Sequence, residues 1–207
     1  MGPPPLDVLT RFRGICDALY QRVQEEKDWR YESDLLYSGM SHWQSDESRY
    51  PPIQVGDEIL YPVAHGSTRG VWRWGEYVIK IGLACSRAPG HSSSPNFREA
   101  SIFTFVKGTP IEKFFVPTYA YYSPGQEQEE LAVNQWPRRS PRQPDFVLAD
   151  YVVLAGPSHK SRDAFEGELD EVFPSYKEFF SVGDFCDFNF STNPEWLVHD
   201  YGGFQIQ

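Results

Sequence analysis

At residue 53 the spacing of apolar residues changes from helical to extended. Before it, "LDVLTRFRGICDALYQRVQEEK" (residues 6–27) repeats Leu9, Phe12, Cys16, Leu19 and Val23 along one helix face. After it, "IQVGDEILYPV", "GVWRW" and "EYVIKIGL" read as three short strands, separated by "HGSTRG" and by a turn at Gly75-Glu76. The later segments alternate in the same way. "FREASIFTFVKG" predicts a helix with Phe97, Ala100, Phe103 or Ile102, and Val106 on one side. "FFVPTYAYYS" predicts a strand, and "DFVLADYVVLAG" a well-buried one. "SRDAFEGELDEVFPSYKEFFS" is helical, with Pro174 expected to break or kink it. "EWLVHD" is a last short strand. The order is a helix, three strands, a helix, two strands, a helix and two short strands, which is an α+β pattern.

Between these elements lie polar stretches. Residues 38–52 read as a linker, "GLACSRAPGHSSSPN" as a loop, and "PGQEQEELAVNQWPRRSPRQP" as an insert whose Arg138, Arg139 and Arg142 are best explained as a solvated loop. A chain of 207 residues can bury roughly 70% of its unfolded surface and needs no staples to fold. Its three cysteines, Cys16, Cys85 and Cys186, form neither a disulfide framework nor a zinc pattern, which favours a reducing compartment. No signal peptide, myristoylation site or membrane-length apolar run is legible, so a cytoplasmic protein is expected, with no membrane partner. The net charge of −10 argues against a nucleic acid partner.

The chemistry-bearing residues gather late in the chain. Asp184 and Asp200 stand sixteen positions apart, with Asn189 between them and Tyr201-Gly202 following. Two carboxylates and an amide oxygen are hard ligands of the kind Mg²⁺ takes together with substrate phosphates. Asp187 and His199 are better read as ordinary loop and strand residues. Cys186 has no histidine at a useful spacing and there is no G-x-S-x-G, so a nucleophilic enzyme fits poorly.

The run "GDFCDFN" resembles the D-x-x-x-x-N of a kinase catalytic loop, and "DYG" resembles the D-F-G that follows it. "EYVIK" resembles the lysine-bearing strand, with Lys80, and "NFREASIFTF" the helix that pairs it, with Glu99. "HGSTRG" offers Gly66, Ser67 and Gly70 where a phosphate loop is expected, without the full G-x-G-x-x-G. "VLADYVVLAG" resembles the strand that enters the adenine hinge, at Asp150 to Val152. The chain thus resembles the protein-kinase-like superfamily, most closely aminoglycoside-phosphotransferase-like kinases and, in its brevity, minimal bacterial effector kinases.

That resemblance implies a kinase-like fold: a five-stranded antiparallel N-lobe with its helix over residues 51–152, and a truncated helical C-lobe over 153–207. The resemblance covers roughly residues 55–207; residues 1–50 lie outside it and would be a helical extension and linker, whose helix would cover surface that a fuller second lobe would bury. It implies ATP and Mg²⁺ as cofactors. Lys80, paired with Glu99, would hold the α- and β-phosphates, Asn189 and Asp200 the metal, and Asp184 would orient the accepting hydroxyl. The acceptor would be a protein Ser/Thr or a small molecule. Val182 stands where these families usually carry His, two positions before Asp184. Because of that change and the weak glycine loop, a non-catalytic nucleotide-binding or interaction module is the alternative.

Overall fold

The computed structural model describes residues 3–25, 52–65, 69–82, 94–124, 144–152, 162–183, 190–191, 197–198, 201–202 and 204–207. Helix α1 spans Leu6–Glu25. Strands β1 (Ile53–Val55), β2 (Glu58–His65), β3 (Arg69–Trp74) and β4 (Tyr77–Gly82) follow. Next come α2 (Pro95–Val106), β5 (Thr118–Tyr122), β6 (Asp145–Asp150) and α3 (Arg162–Val172). Four two-residue strands close the described chain: β7 (Phe180–Ser181), β8 (Phe190–Ser191), β9 (Leu197–Val198) and β10 (Gln205–Ile206). The fold is α+β. Among the described residues no helix is long and apolar enough to cross a membrane.

Six strands, not the five expected, form the main sheet, in the order β1-β2-β3-β4-β6-β5 with every pairing antiparallel. The additional strand arises at Gly56. By its apolar residues "IQVGDEILYPV" reads as one strand, but Gly56 takes φ 57° and folds Ile53–Val55 back onto Glu58–Leu60. Only glycine enters that region without steric cost. Gly75 makes the β3–β4 turn in the same way, at φ 62°.

Helix α1 packs on one face of the sheet. Phe12, Ile15, Cys16 and Leu19 pack with Leu60, Trp72, Trp74, Ile79, Ile81 and Leu148 in one buried cluster. Polar contacts tie its rim. Arg11 Nε donates to Glu58 Oε1 at 2.7 Å, and the indole N–H of Trp74 reaches Glu58 Oε2 at 2.8 Å. The Trp74 bond and Arg11 hold the Glu58 carboxyl below its ordinary range. Tyr122 Oη donates to Asp17 at 2.8 Å from the far edge of the sheet.

Helix α2 meets the opposite face. Its buried residues are Asn96, Glu99, Ile102, Phe103 and Val106. This corrects the expected stripe at its start: Phe97 is exposed and stands edge-on to Tyr121 at 5.5 Å, while Asn96 and Glu99 turn inward. The inner face is polar there, so an apolar count places the helix one position out of phase. Farther along, Ile102, Phe103 and Val106 enter a second core with Phe115, Phe165, Leu169, Phe180, Tyr201 and Phe204. Phe115 is its hub, edge-on to Phe165, Phe180, Tyr201 and Phe204 at 5.1–6.4 Å. α3 ends at Val172, and Pro174 opens a separate 3₁₀ turn, Pro174–Glu178. Pro174 therefore ends the helix.

Phe12 lies on α1 with almost no exposed surface. Phe12→Ala is expected to cost about 3–5 kcal/mol in urea unfolding, the range for a buried aromatic. A loss below about 1 kcal/mol would show that α1 is not part of the cooperative fold.

Candidate functional site

Cross-strand partners in an antiparallel pair share a face, so the pairing of β3, β4 and β6 sorts their residues into rows. Arg69, Gly82 and Asp145 form one row, Val71, Lys80 and Val147 the next, and Arg73, Val78 and Ala149 a third. α2 crosses this face, and Glu99 meets Lys80 there. Lys80 Nζ donates to Glu99 Oε1 at 2.5 Å. The Glu99 side chain has no exposed surface and the Lys80 side chain is 5% exposed. The two residues that sequence placed on a strand and on the following helix are therefore brought together.

A third charge completes the arrangement. Arg69 Nη2 lies 2.6 Å from Glu99 Oε2, an ion pair without the alignment of a hydrogen bond. Arg69 Nη1 donates to Asn96 Oδ1 at 3.1 Å. The Asn96 amide in turn donates to Lys80 O at 3.0 Å, to Asp145 O at 2.9 Å and to Asp145 Oδ1 at 3.1 Å. Ser94 Oγ donates to Asp145 Oδ2 and also caps α2 by accepting from Phe97 N at 3.0 Å. Arg69, Lys80, Glu99 and Asp145 thus bury two charges of each sign at one end of the sheet.

Tyr201 and Gly202 close over this cluster. The Lys80 ammonium lies 6.0 Å from the Tyr201 ring centroid. The Tyr201 hydroxyl is buried, 2.7 Å from Thr118 Oγ1, and donates to Val116 O at 3.0 Å. Arg98 Nε donates to Gly202 O at 2.7 Å. A Cβ at Gly202 would lie 2.5 Å from Pro95 O and 2.9 Å from both Arg69 terminal nitrogens, so only glycine fits.

At the other end of the sheet, Asp150 N donates to Pro117 O and Tyr151 N to Glu76 O, each at 3.0 Å. Both amides are committed within the fold. Arg73 stacks 4.3 Å over the Tyr151 ring, and Val152 is half-buried. Burial raises the Asp150 carboxyl, with Glu76 adding to the rise and the nearby Tyr119 hydroxyl opposing it. Tyr119 is itself raised, first by burial and then by Asp150. Neither Tyr119 Oη nor Asp150 Oδ1 meets a hydrogen-bond partner in bonding geometry.

The remaining expected positions divide as follows. Gly70 is a regular ladder residue, opposite His65 on one side and Ile81 on the other. Val182 is buried in the second core, so the position where a histidine was expected serves packing. Gly66, Ser67, Asp184, Asp187, Asn189, His199 and Asp200 lie outside the described residues, as do Cys85, Cys186 and Arg138, Arg139 and Arg142. Among the described residues no three His, Cys, Asp or Glu side chains converge on a metal-sized centre. Sequence reasoning missed Arg69, Asn96 and Asp145. Only Arg69 carried a signal: two residues before Val71, it shares the face of Lys80 by strand alternation.

No protein-family model, curated protein or solved structure matches the chain.

Glu99 serves two cations, and each cation has a different claim on it. Glu99→Gln is expected to cost about 3–5 kcal/mol in urea unfolding, because it leaves two buried cations short of a counter-charge. Lys80→Met should cost less, since Arg69 still neutralises Glu99. The opposite order would contradict the shared pair.

The folded state holds the Asp150 proton more tightly than the unfolded chain. Its protonated form is therefore the stabilising one, complete below the ordinary carboxylate pKa and lost as pH rises through the raised folded value. Asp150→Asn is expected to raise Tm at pH 7, with the gap to wild type narrowing as pH falls into the carboxylate range. Melting curves across that range check it, and a constant gap would speak against it.

Proposed function

We propose that the chain is a minimal ATP-dependent kinase that transfers a phosphoryl group to a hydroxyl, with protein Ser/Thr as the favoured acceptor. The observation that carries this reading is the buried Lys80–Glu99 pair, formed between strand and helix across nineteen residues. A lysine fixed by a buried glutamate on a sheet face is pre-oriented for phosphate at little further entropic cost.

The surroundings fit an anionic nucleotide. Next to Lys80 the same face carries the half-buried Val71 as an apolar contact for a base, while Val78 and Ala149 are buried beneath Ala100, Tyr121 and Tyr151. Opposite Arg73 that face continues onto β2 at Tyr61, which is 52% exposed. With the amides of Asp150 and Tyr151 committed, Val152 is left as the hinge residue to read the base. β8 pairs with β9, and Asn189 and Asp200 stand one residue before and two residues after this hairpin in the chain. Asn189 and Asp200 would hold Mg²⁺, which supplies neutralisation of phosphate charge when bound. Asp184 would orient the accepting hydroxyl and take its proton. Lys80, oriented by Glu99, would hold the α- and β-phosphates, so that catalysis rests on positioning and charge.

A second reading has its own observation. Lys80 is nearly closed off and Arg69 shares its carboxylate, which suits a module that binds a nucleotide or a partner without turnover. A small-molecule acceptor remains the other outcome of an activity screen.

Mg-ATP at about a hundred times its Kd should stabilise wild type by roughly 2.7 kcal/mol. For a chain of this size that is a Tm rise of about 5–10 °C. Lys80→Ala and Asp200→Ala should each abolish most of the rise. If wild type does not shift, the nucleotide site is refuted. A shift without phosphate transfer to any lysate protein or small hydroxyl compound selects the non-catalytic module.

A further inference from the structure

We infer that Arg69 is a positioning residue of the proposed nucleotide site, coupling the Lys80–Glu99 pair to the segment that follows Asp200. The inference rests on the kinase reading above and gives a role to a residue that its motifs leave without one. Arg69 is 2% exposed, so its charge is committed to the interior. Its guanidinium grips Glu99 Oε2 at 2.6 Å and Asn96 Oδ1 at 3.1 Å. The same two terminal nitrogens stand beside Gly202, where an added Cβ would meet each at 2.9 Å. Arg69 therefore touches the helix that sets Lys80 and the backbone next to the proposed metal ligand.

The planar fork of arginine suits this place. It presents several N–H groups in one plane to Glu99 and Asn96 at once, where lysine offers one point charge. On the Gly202 side, Arg98 Nε holds the carbonyl at 2.7 Å. Gly202 is thus bonded to α2 through Arg98 and packed beside Arg69 of β3. A shift of α2 that moved Glu99 would move this seat, and loss of the seat would leave Glu99 with one cation. Binding at Lys80 and placement of the residues after Asp200 become one event.

The test compares wild type with Arg69→Met and Arg69→Lys, using full-length protein, in two measurements. Calorimetry gives the Kd for ATP with EDTA and with Mg²⁺. Hydrogen exchange without nucleotide follows residues 201–207, where Phe204 N donates to Tyr201 O and Gln207 N to Phe179 O. Arg69→Met should bind ATP in EDTA within a few-fold of wild type and lose at least tenfold of the strengthening that Mg²⁺ brings. Exchange over 201–207 should quicken while α1 stays protected. Arg69→Lys should fall between, and it carries the test if Arg69→Met does not fold. Gly202→Ala, which pushes the backbone off Arg69 from the other side, should reproduce the loss with the Lys80–Glu99 pair intact. If wild type binds ATP and Arg69→Met keeps the full Mg²⁺ effect and the exchange pattern, Arg69 only fills space and the inference fails alone. If wild type binds no nucleotide, the kinase reading fails and this role goes with it.

Discussion

A carboxylate with no exposed surface, set between Lys80 and Arg69, is the interaction on which the arrangement turns. Removing ions from water costs several kcal/mol each, and the cost is recovered only when geometry and hydrogen bonds are good. The requirement reaches far. Lys80 and Arg69 must come from adjacent strands, and Glu99 must come from a helix laid across them at one phase. Apolar side chains of similar volume would often be as stable or more so. Charges kept where hydrocarbon would serve stability suit a site that must present a cation in a fixed place, which is why the pair supports the proposed phosphate role more than it explains the fold.

Helix α2 mediates between two kinds of interior. Its first turns carry Asn96 and Glu99 into the polar cluster, and its later turns carry Ile102, Phe103 and Val106 into the aromatic core around Phe115. Tyr201 belongs to both. Its ring packs at 5.1 Å from that of Phe115, and its hydroxyl reaches Thr118 and Val116 at the head of β5. A phenylalanine could fill the ring's place but could not make those bonds. The described C-terminal residues are consequently fastened to β5 by a hydroxyl, to α2 by Arg98, and to β7 by the pairing of Gln205 with Ser181. α1 stiffens the same sheet from behind.

Sequence made the elements legible because their apolar periods are regular. The helix over residues 6–27, the Lys80 strand, the buried strand before Asp150 and the break at Pro174 all stand close to where periodicity and proline place them. It misplaced what polar burial decides. The apolar pattern starts the stripe of α2 at Phe97 and Ala100, because that pattern carries no sign of the buried partners of Asn96. The sixth strand was hidden because Gly56 interrupts an apolar run without interrupting its composition. Of the candidate site, the Lys80–Glu99 pairing was open to reading through resemblance, since strand and helix are adjacent in sequence. Asp145 was not. It lies 51 residues from Ser94 and 49 from Asn96, and contacts of that separation leave no local pattern.

Those distant contacts explain how Glu99 comes to face Lys80 at all. Gly82 pairs with Arg69 on one side and with Asp145 on the other, and a side chain at 82 would run into the Asp145 carboxylate. Its absence lets that carboxylate stand on the inner face and receive Ser94 and Asn96. Ser94 is the N-cap, so the sheet fixes the residue at which α2 begins, and Pro95 holds the first turn in helical geometry. Asn96, bonded to the backbone of β4 and β6, fixes the rotation of the helix about its axis. Glu99 stands three residues beyond Asn96, on the same helix face, and so it falls over Lys80. The ion pair is thus the consequence of a cap and a phase set from the sheet, and a change at Gly82 or Asp145 would act on the lysine without touching it.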